Sequence, residues 1–416
     1  MSTETVTITR LGAQGDGIAN GADGPLYVPF TLPGETVAVA RVKNHGTLMS
    51  ITSPSADRQE PPCRHFGPDG VNGTCGGCTL QHLSDASYRD FKRQLVIDAL
   101  KFKGLTPEVA ALVTAHPGER QRVVFAARRT EKEMLIGFNQ AESHHIVAIA
   151  ECPMASATIV SKLPAIRAVA AALAVSSEAF RIAVLETPSG LDLAIEGIKG
   201  LSDRQRRGAI ETVLSARGIA RVSLNGEILV EPIKPLIDFG GVQVSPPPGA
   251  FVQATKPAEE AMADLVLAHV GKAKRIADLF AGAGTFSLRL ARIGRVHAVE
   301  GDDKALAALD QAARKTQGLK PVTVEKRDLF RRPLMAQELK AYDAVVFDPP
   351  RAGAEFQCKE LARSAVKTIA AISCSPLTLA RDLAILVEGG YKIKAVTPID
   401  QFLWTAHVEV VATLER

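Results

Sequence analysis

Over residues 6 to about 51 apolar and polar positions alternate in short stretches, among them Leu26-Tyr27-Val28 and Val37-Ala38-Val39-Ala40-Arg41-Val42. Gly12, Gly15, Gly17, Gly21, Gly24, Pro33 and Gly34 cut these stretches apart. A period of two broken by turn residues at short intervals predicts a small antiparallel barrel. Pro54, Pro61 and Pro62 end the pattern and lead into a cysteine-rich loop from Cys63 to His82. From residue 84 to about 252 the signal weakens: a helix is expected over 88–102 and strands near 122–129 and 135–138, with the strand order open. Ser245-Pro246-Pro247-Pro248-Gly249 then makes a stiff turn. Beyond Pro257, a good first-turn residue for a helix reaching about residue 270, strands alternate with helices. The strands are expected at 275–279, 296–299, 322–325, 344–347 and 369–372, with two more at 392–396 and 407–414. That rhythm predicts an α/β fold, a doubly wound parallel sheet with an added pair of strands at its end. Three units follow: 1–55, a barrel; 56–252, a central α+β domain with a cysteine cluster; and 253–416, the sheet domain.

Length supports several compact units, since 416 residues exceed one ordinary domain. A hydrophobic fraction of 46% with 23% charged residues is that of a globular protein. No apolar run approaches the ~18 residues that span a bilayer, and MSTETVTITR lacks the basic and apolar regions of an export signal, so a cytoplasmic protein is expected. A net charge of +4 permits nucleic-acid binding without demanding it. In such a setting the six cysteines, at 63, 75, 78, 152, 358 and 374, point to metal ligation or catalysis before disulfides.

Three segments of the sheet domain carry chemistry. Asp278-Leu279-Phe280-Ala281-Gly282-Ala283-Gly284-Thr285 lies where a buried strand turns into a helix expected over 286–293, and its glycines let the backbone pass close to a ligand. Glu300, Asp328 and Asp348 end the next strands, a row of acceptors at the carboxyl edge where such sheets bind nucleosides. The glycine spacing is not that of a dinucleotide loop, which favours S-adenosylmethionine over NAD. Cys374, in Ile372-Ser373-Cys374-Ser375-Pro376, stands before a helix whose N-terminal field is expected to lower its pKa. Glu409 is a charge inside the apolar stretch His407-Val408-Glu409-Val410-Val411, a setting that raises a carboxyl pKa toward that of a general base. Asp348-Pro349-Pro350-Arg351 forms a rigid turn that sets Asp348 and Arg351 over the pocket. Cys358 has weaker surroundings and reads as structural.

Together with Phe251-Val252-Gln253, these segments resemble, over nearly the whole chain, the RNA uracil-C5 methyltransferase family, whose bacterial members modify 23S ribosomal RNA or transfer RNA. The resemblance implies a Rossmann-like S-adenosylmethionine-dependent domain and a TRAM-like, OB-like barrel that binds RNA. It makes Cys374 the nucleophile and Glu409 the base that removes a proton. Gln253, Phe280, Thr285, Glu300, Asp328 and Asp348 then line the cofactor and base sites, with Thr285 standing where many members carry asparagine. Members acting on ribosomal RNA hold a four-iron four-sulfur cluster, and Cys63, Cys75, Cys78 and Cys152 look like its ligands. The gap between Cys63 and Cys75 is longer than the usual one, and zinc on the four thiols stays an alternative. The reaction expected is methylation of carbon 5 of a uridine, most naturally in 23S rRNA, through a cysteine adduct at carbon 6. A transfer-RNA substrate, or an RNA-binding protein that keeps the fold without the reaction, are the alternatives. Neither a membrane nor an obligate protein partner is implied.

Overall fold

The computed structural model describes residues 2–21 and 24–416. Five strands, Ser2–Leu11, Gly17–Gly21, Gly24–Val28, Thr36–Val42 and His45–Ser53, close into a barrel in which the first strand pairs with the second and fourth. Val37 and Val39 point inward and are wholly buried with Ile8, Leu26 and Val28, as the alternation requires. Closure leaves no open strand edge.

The middle of the chain builds a seven-stranded sheet in the order Glu227–Val230, Ile219–Leu224, Gly190–Glu196, Phe180–Thr187, Arg122–Arg129, Met134–Asn139 and Ile146–Ala148. Only Gly190–Glu196 and Ile219–Leu224 run parallel, and the helix Asp203–Ser215 makes the crossover that a parallel pair needs. That helix and Leu163–Leu173 cover one face, burying Ile166, Val169, Leu173, Ala209 and Val213 against Val123, Phe125 and Ala127. Arg122 and Arg128 alternate with these and lie on the opposite face.

The C-terminal sheet runs Val322–Lys326, Arg295–Glu300, Arg275–Leu279, Ala344–Phe347, Thr368–Ser373, Glu409–Glu415, Lys392–Ile399. The first five strands are parallel, and Glu409–Glu415 inserts antiparallel between the fifth and the edge strand. This is the doubly wound sheet with an added strand pair that the periodicity predicts. Its strands are buried on both faces: Ala277, Val345 and Phe347 pack on one side, Ile276, Val346 and Ile372 on the other. The helix Asp85–Phe102 packs here too, placing Val96, Ala99 and Leu100 in the same core as Leu383 and Leu386 of Pro376–Glu388. Among the described residues no helix is long and apolar enough to cross a membrane.

The two helices that flank the site begin at definite caps. Thr255 accepts from the Ala258 N–H with Pro257 in the first turn of Lys256–Val270, and Ser375 accepts from the Thr378 N–H with Pro376 opening Pro376–Glu388.

Candidate active site

A cavity of about 730 Å³ opens at the carboxyl ends of the parallel strands. Its wall includes Gln253, Phe280, Glu300, Asp328, Asp348, Arg351, Cys374 and Glu409, so residues scattered over more than 150 positions of sequence meet at one place. Thr285 does not join them: it is half-buried on the turn behind, where its carbonyl accepts from Arg289 Nη1 at 2.7 Å.

The glycine loop leaves the strand Arg275–Leu279 with three successive departures from ordinary backbone, φ being +60° at Phe280, +54° at Gly282 and +104° at Gly284. A Cβ at Gly284 would stand 2.9 Å from Leu309, so glycine is needed there for both conformation and space. Glu300 closes the loop from the neighbouring strand. Its Oε2 accepts from the Gly282 N–H at 2.9 Å, and its Oε1 accepts from the Gly301 and Asp302 N–H groups at 2.6 and 2.9 Å. Asp328 Oδ1 accepts from the Phe330 N–H at 3.0 Å, which brings the Phe330 ring to 5.4 Å from that of Phe280. Beneath the loop Asp278 is fully buried, accepts from Ser287 Oγ at 2.5 Å, and has its pKa pushed up to about 7 by burial.

The other end of the cavity holds a chain of polar groups. Gln253 Nε2 donates to Asp348 Oδ2 at 2.9 Å, Gln401 Nε2 donates to Gln253 Oε1 at 2.8 Å and to Glu409 Oε2 at 2.6 Å, and Gln401 Oε1 accepts from the Ala254 N–H at 2.9 Å. Glu409 is 2% exposed, and burial raises its carboxyl to about 7 against the opposing hydrogen bond from Gln401. Burial, followed by the charge of Glu409, lifts Asp348 well above the usual carboxylate range. Two carboxyls in one poorly solvated pocket do not ionise together easily, so the charge of each disfavours the ionisation of the other.

Cys374 differs from the sequence-based expectation of a lowered pKa. Burial, then the charges of Glu409 and Asp348, push its thiol up to about 11, although Arg351 acts in the opposite sense. Pro376, not Cys374, opens the following helix, and the sulfur is partly buried in a pocket with two acids, so burial and then local charge outweigh the helix field. Cys358 is completely buried in the core, as its surroundings suggest.

Cys63, Cys75, Cys78 and Cys152 line a second cavity of about 340 Å³, formed where the cysteine loop meets the strand Arg122–Arg129. Phe402 belongs to the walls of both cavities, and Arg120 lies over its ring at 5.7 Å. The four thiols surround a space, and among the described residues no three ligand-type side chains close on a point that would hold one ion. The loop between the cavities is pinned by a buried group: Lys92 Nζ donates to Asp400 Oδ1 at 2.6 Å and Tyr88 OH donates to Asp400 Oδ2 at 2.7 Å. The Thr79 and Leu80 N–H groups, beside Cys78, donate to the Trp404 carbonyl at 2.9 Å each.

Gln401, Phe330 and Arg327 are wall residues absent from the sequence-based set. A glutamine two residues past a strand, an arginine at a strand end and a loop phenylalanine carry no signal in the sequence by themselves.

Comparison with known proteins identifies the family. The chain is 73% identical over its full length to an uncharacterized RNA methyltransferase of Rhizobium meliloti (strain 1021), of which it covers 100%. It is 31% identical, over 99% of its length and 89% of the relative's, to the 23S rRNA (uracil(1939)-C(5))-methyltransferase of Chromohalobacter salexigens. The fold matches the crystal structure of the Pyrococcus abyssi tRNA (uracil-54, C5)-methyltransferase in complex with S-adenosyl-L-homocysteine, with a TM-score of 0.76, 24% identity and 99% of each chain covered. Residues 89–416 match the tRNA (Uracil-5-)-methyltransferase family, and with the full-length relatives this places the chain in that family.

Proposed function

We propose that the protein transfers a methyl group from S-adenosylmethionine to carbon 5 of a uridine in RNA, with 23S rRNA as its substrate. The observation that carries this reading is the convergence of Cys374, Glu409 and Asp348 on the cavity that the glycine loop and Glu300 border. The cavity fits the cofactor: the positive-φ glycine turn lets the backbone pass close to a ligand, and Glu300, a carboxylate at the strand end on the cavity wall, suits ribose hydroxyls. Gln253, Phe280, Glu300, Asp328 and Asp348 would hold cofactor and base between them. S-adenosylmethionine supplies an electrophilic methyl group, which carbon 5 of uracil is too weak a nucleophile to take unaided.

Cys374 supplies the missing activation. Its S–H proton passes to water, its sulfur adds to carbon 6, and the electron pair of the 5,6 double bond moves toward the carbonyl at carbon 4 as an enolate. Asp348, whose carboxyl burial and the charge of Glu409 lift well above the usual range, is suited in its protonated form to donate a hydrogen bond to that oxygen as charge develops. After carbon 5 has gained its methyl group, Glu409 removes the carbon 5 proton, the double bond re-forms and the sulfur leaves as thiolate. The barrel and the arginines beside the pocket, among them Arg122 with its guanidinium 5.7 Å from the Phe251 ring, would bind RNA flanking a flipped-out uridine.

The four cysteines Cys63, Cys75, Cys78 and Cys152, together on the wall of one cavity, would be the thiolate ligands of a four-iron four-sulfur cluster, the group that the resemblance to ribosomal-RNA members implies, with zinc as the alternative. Such a cluster would link the cysteine loop to the central sheet. The 31% identical relative that acts on 23S rRNA supports the ribosomal substrate. A cytoplasmic location belongs to the same reading.

Transfer of labelled methyl from S-adenosylmethionine to total RNA of a strain lacking this gene tests the proposal. New 5-methyluridine in 23S rRNA is the expected result. Label confined to transfer RNA would keep the chemistry and overturn the substrate, and no label in any RNA would overturn both.

A further inference from the structure

Gln401 sits where its amide has no freedom. It is 1% exposed, and all of its polar capacity toward the protein is committed: the oxygen to the Ala254 N–H, the two amide protons to Gln253 Oε1 and Glu409 Oε2. The backbone N–H of Ala254 can only donate, so it determines which end of the amide is oxygen. A reversed amide would set N–H against N–H at Ala254 and oxygen against oxygen at both other partners. One backbone group therefore sets the polarity of the whole chain from Gln401 through Gln253 to Asp348.

The consequence falls on Glu409. Its Oε2 faces a fixed donor at 2.6 Å and is kept as an acceptor, so a proton on this carboxyl must reside on Oε1. We infer that Gln401 is the positioning residue of the elimination step, holding Glu409 ionised and turned so that Oε1 takes the carbon 5 proton. In that step the C5–H bond breaks and its proton passes to Oε1. The freed electron pair forms the 5,6 double bond, the C6–Sγ bond breaks, and its pair returns to Cys374 as thiolate. Loss of the Gln401 donor lets the carboxyl rotate and removes the hydrogen bond that opposes the effect of burial on its pKa.

The inference rests on the proposed reaction, so its test must separate the two. RNA carrying tritium at carbon 5 of uridine reports the elimination, and labelled methyl in the same single turnover reports the transfer. Gln401→Met keeps length and volume without a donor. It should slow release of tritium on the order of ten- to a hundredfold more than it slows attachment of methyl, and accumulate a denaturation-resistant protein–RNA adduct. The rise of tritium release with pH should move to higher pH, because an unassisted buried carboxyl ionises later. Glu409→Ala run in parallel should trap the same adduct. Tritium release by Q401M at the wild-type rate, or equal slowing of both steps with an unmoved pH midpoint, would overturn the role of Gln401 while E409A still traps adduct. Wild-type tritium release by E409A would overturn the assignment of the base itself. Where Q401M loses affinity for S-adenosylmethionine, Gln401→Leu, which likewise has no donor in any protonation state, must show the same split or the inference fails.

Discussion

Cys374 and Glu409 illustrate how little a residue's identity says about its acidity. A thiol at about 11 and a carboxyl at about 7 in one pocket mean that the resting site at neutral pH carries a protonated thiol and a carboxyl that is only partly ionised. Replacing Cys374 by alanine should abolish methyl transfer while binding of S-adenosylmethionine, followed by calorimetry, stays intact. Labelled RNA at the wild-type level would refute the covalent route. Overall turnover should climb as pH rises through about 7, where Glu409 ionises, and go on climbing as a growing fraction of the Cys374 thiol ionises. The sign is that of a base: a flat profile between about pH 6 and 8 would remove Glu409 from the rate-limiting proton transfer.

At the scale of elements, two buried groups carry stability rather than chemistry. Asp278 ends the first strand of the sheet with its Oδ1 unpaired among the described residues. Its folded pKa, raised to about 7, lies above the unfolded value. Stability is therefore full below about pH 4 and falls as pH climbs toward 7, the reverse of a salt-bridged carboxylate. Asp278→Asn should flatten that decline and, on this count, gain on the order of 2–4 kcal/mol above pH 7, read by chemical unfolding across pH. Lys92 and Asp400 tie the helix Asp85–Phe102 to the loop after the edge strand, with both side chains at most 1% exposed. Removing one partner leaves a buried charge, so Lys92→Met should cost about 3–5 kcal/mol of unfolding free energy, and K92M with D400N together should cost less than the sum.

For the whole molecule, the barrel, the cysteine loop and the sheet domain meet around Phe402 and Trp404. Leu32 of the barrel region packs with Leu80, Tyr88 and Trp404 in one small core. A cluster on the four cysteines would act at that junction, so protein purified without oxygen should carry about four irons and matching sulfide. Cys78→Ser should lower both contents together with the unfolding temperature; stoichiometric zinc in place of iron would refute the assignment. RNA affinity should fall steeply with salt, and Arg122→Ala should weaken it and reduce the log–log salt slope by about one without changing affinity for the cofactor.

Much of this was legible along the chain because it depends on local periodicity. The five parallel strands and the pair after them follow from apolar runs separated by helical patterns, and the barrel follows from alternation cut by glycine and proline. Candidate chemistry was readable wherever a charged or reactive residue interrupts such a run, as at Cys374, Asp348 and Glu409. The central sheet was not readable in order: its strand Phe180–Thr187 pairs with Arg122–Arg129 across some fifty residues, and no local pattern encodes such a partner. Gln401 went unassigned because a glutamine after a strand is ordinary until Ala254, Gln253 and Glu409 are brought to it from three directions. The pKa of Cys374 was expected on the wrong side for the same reason. Sequence carries the composition and period that decide which elements form and which faces are buried. Only the tertiary structure sets the distances between charges from separate elements, and acidity, hydrogen-bond polarity and the shape of the cavity depend on those distances.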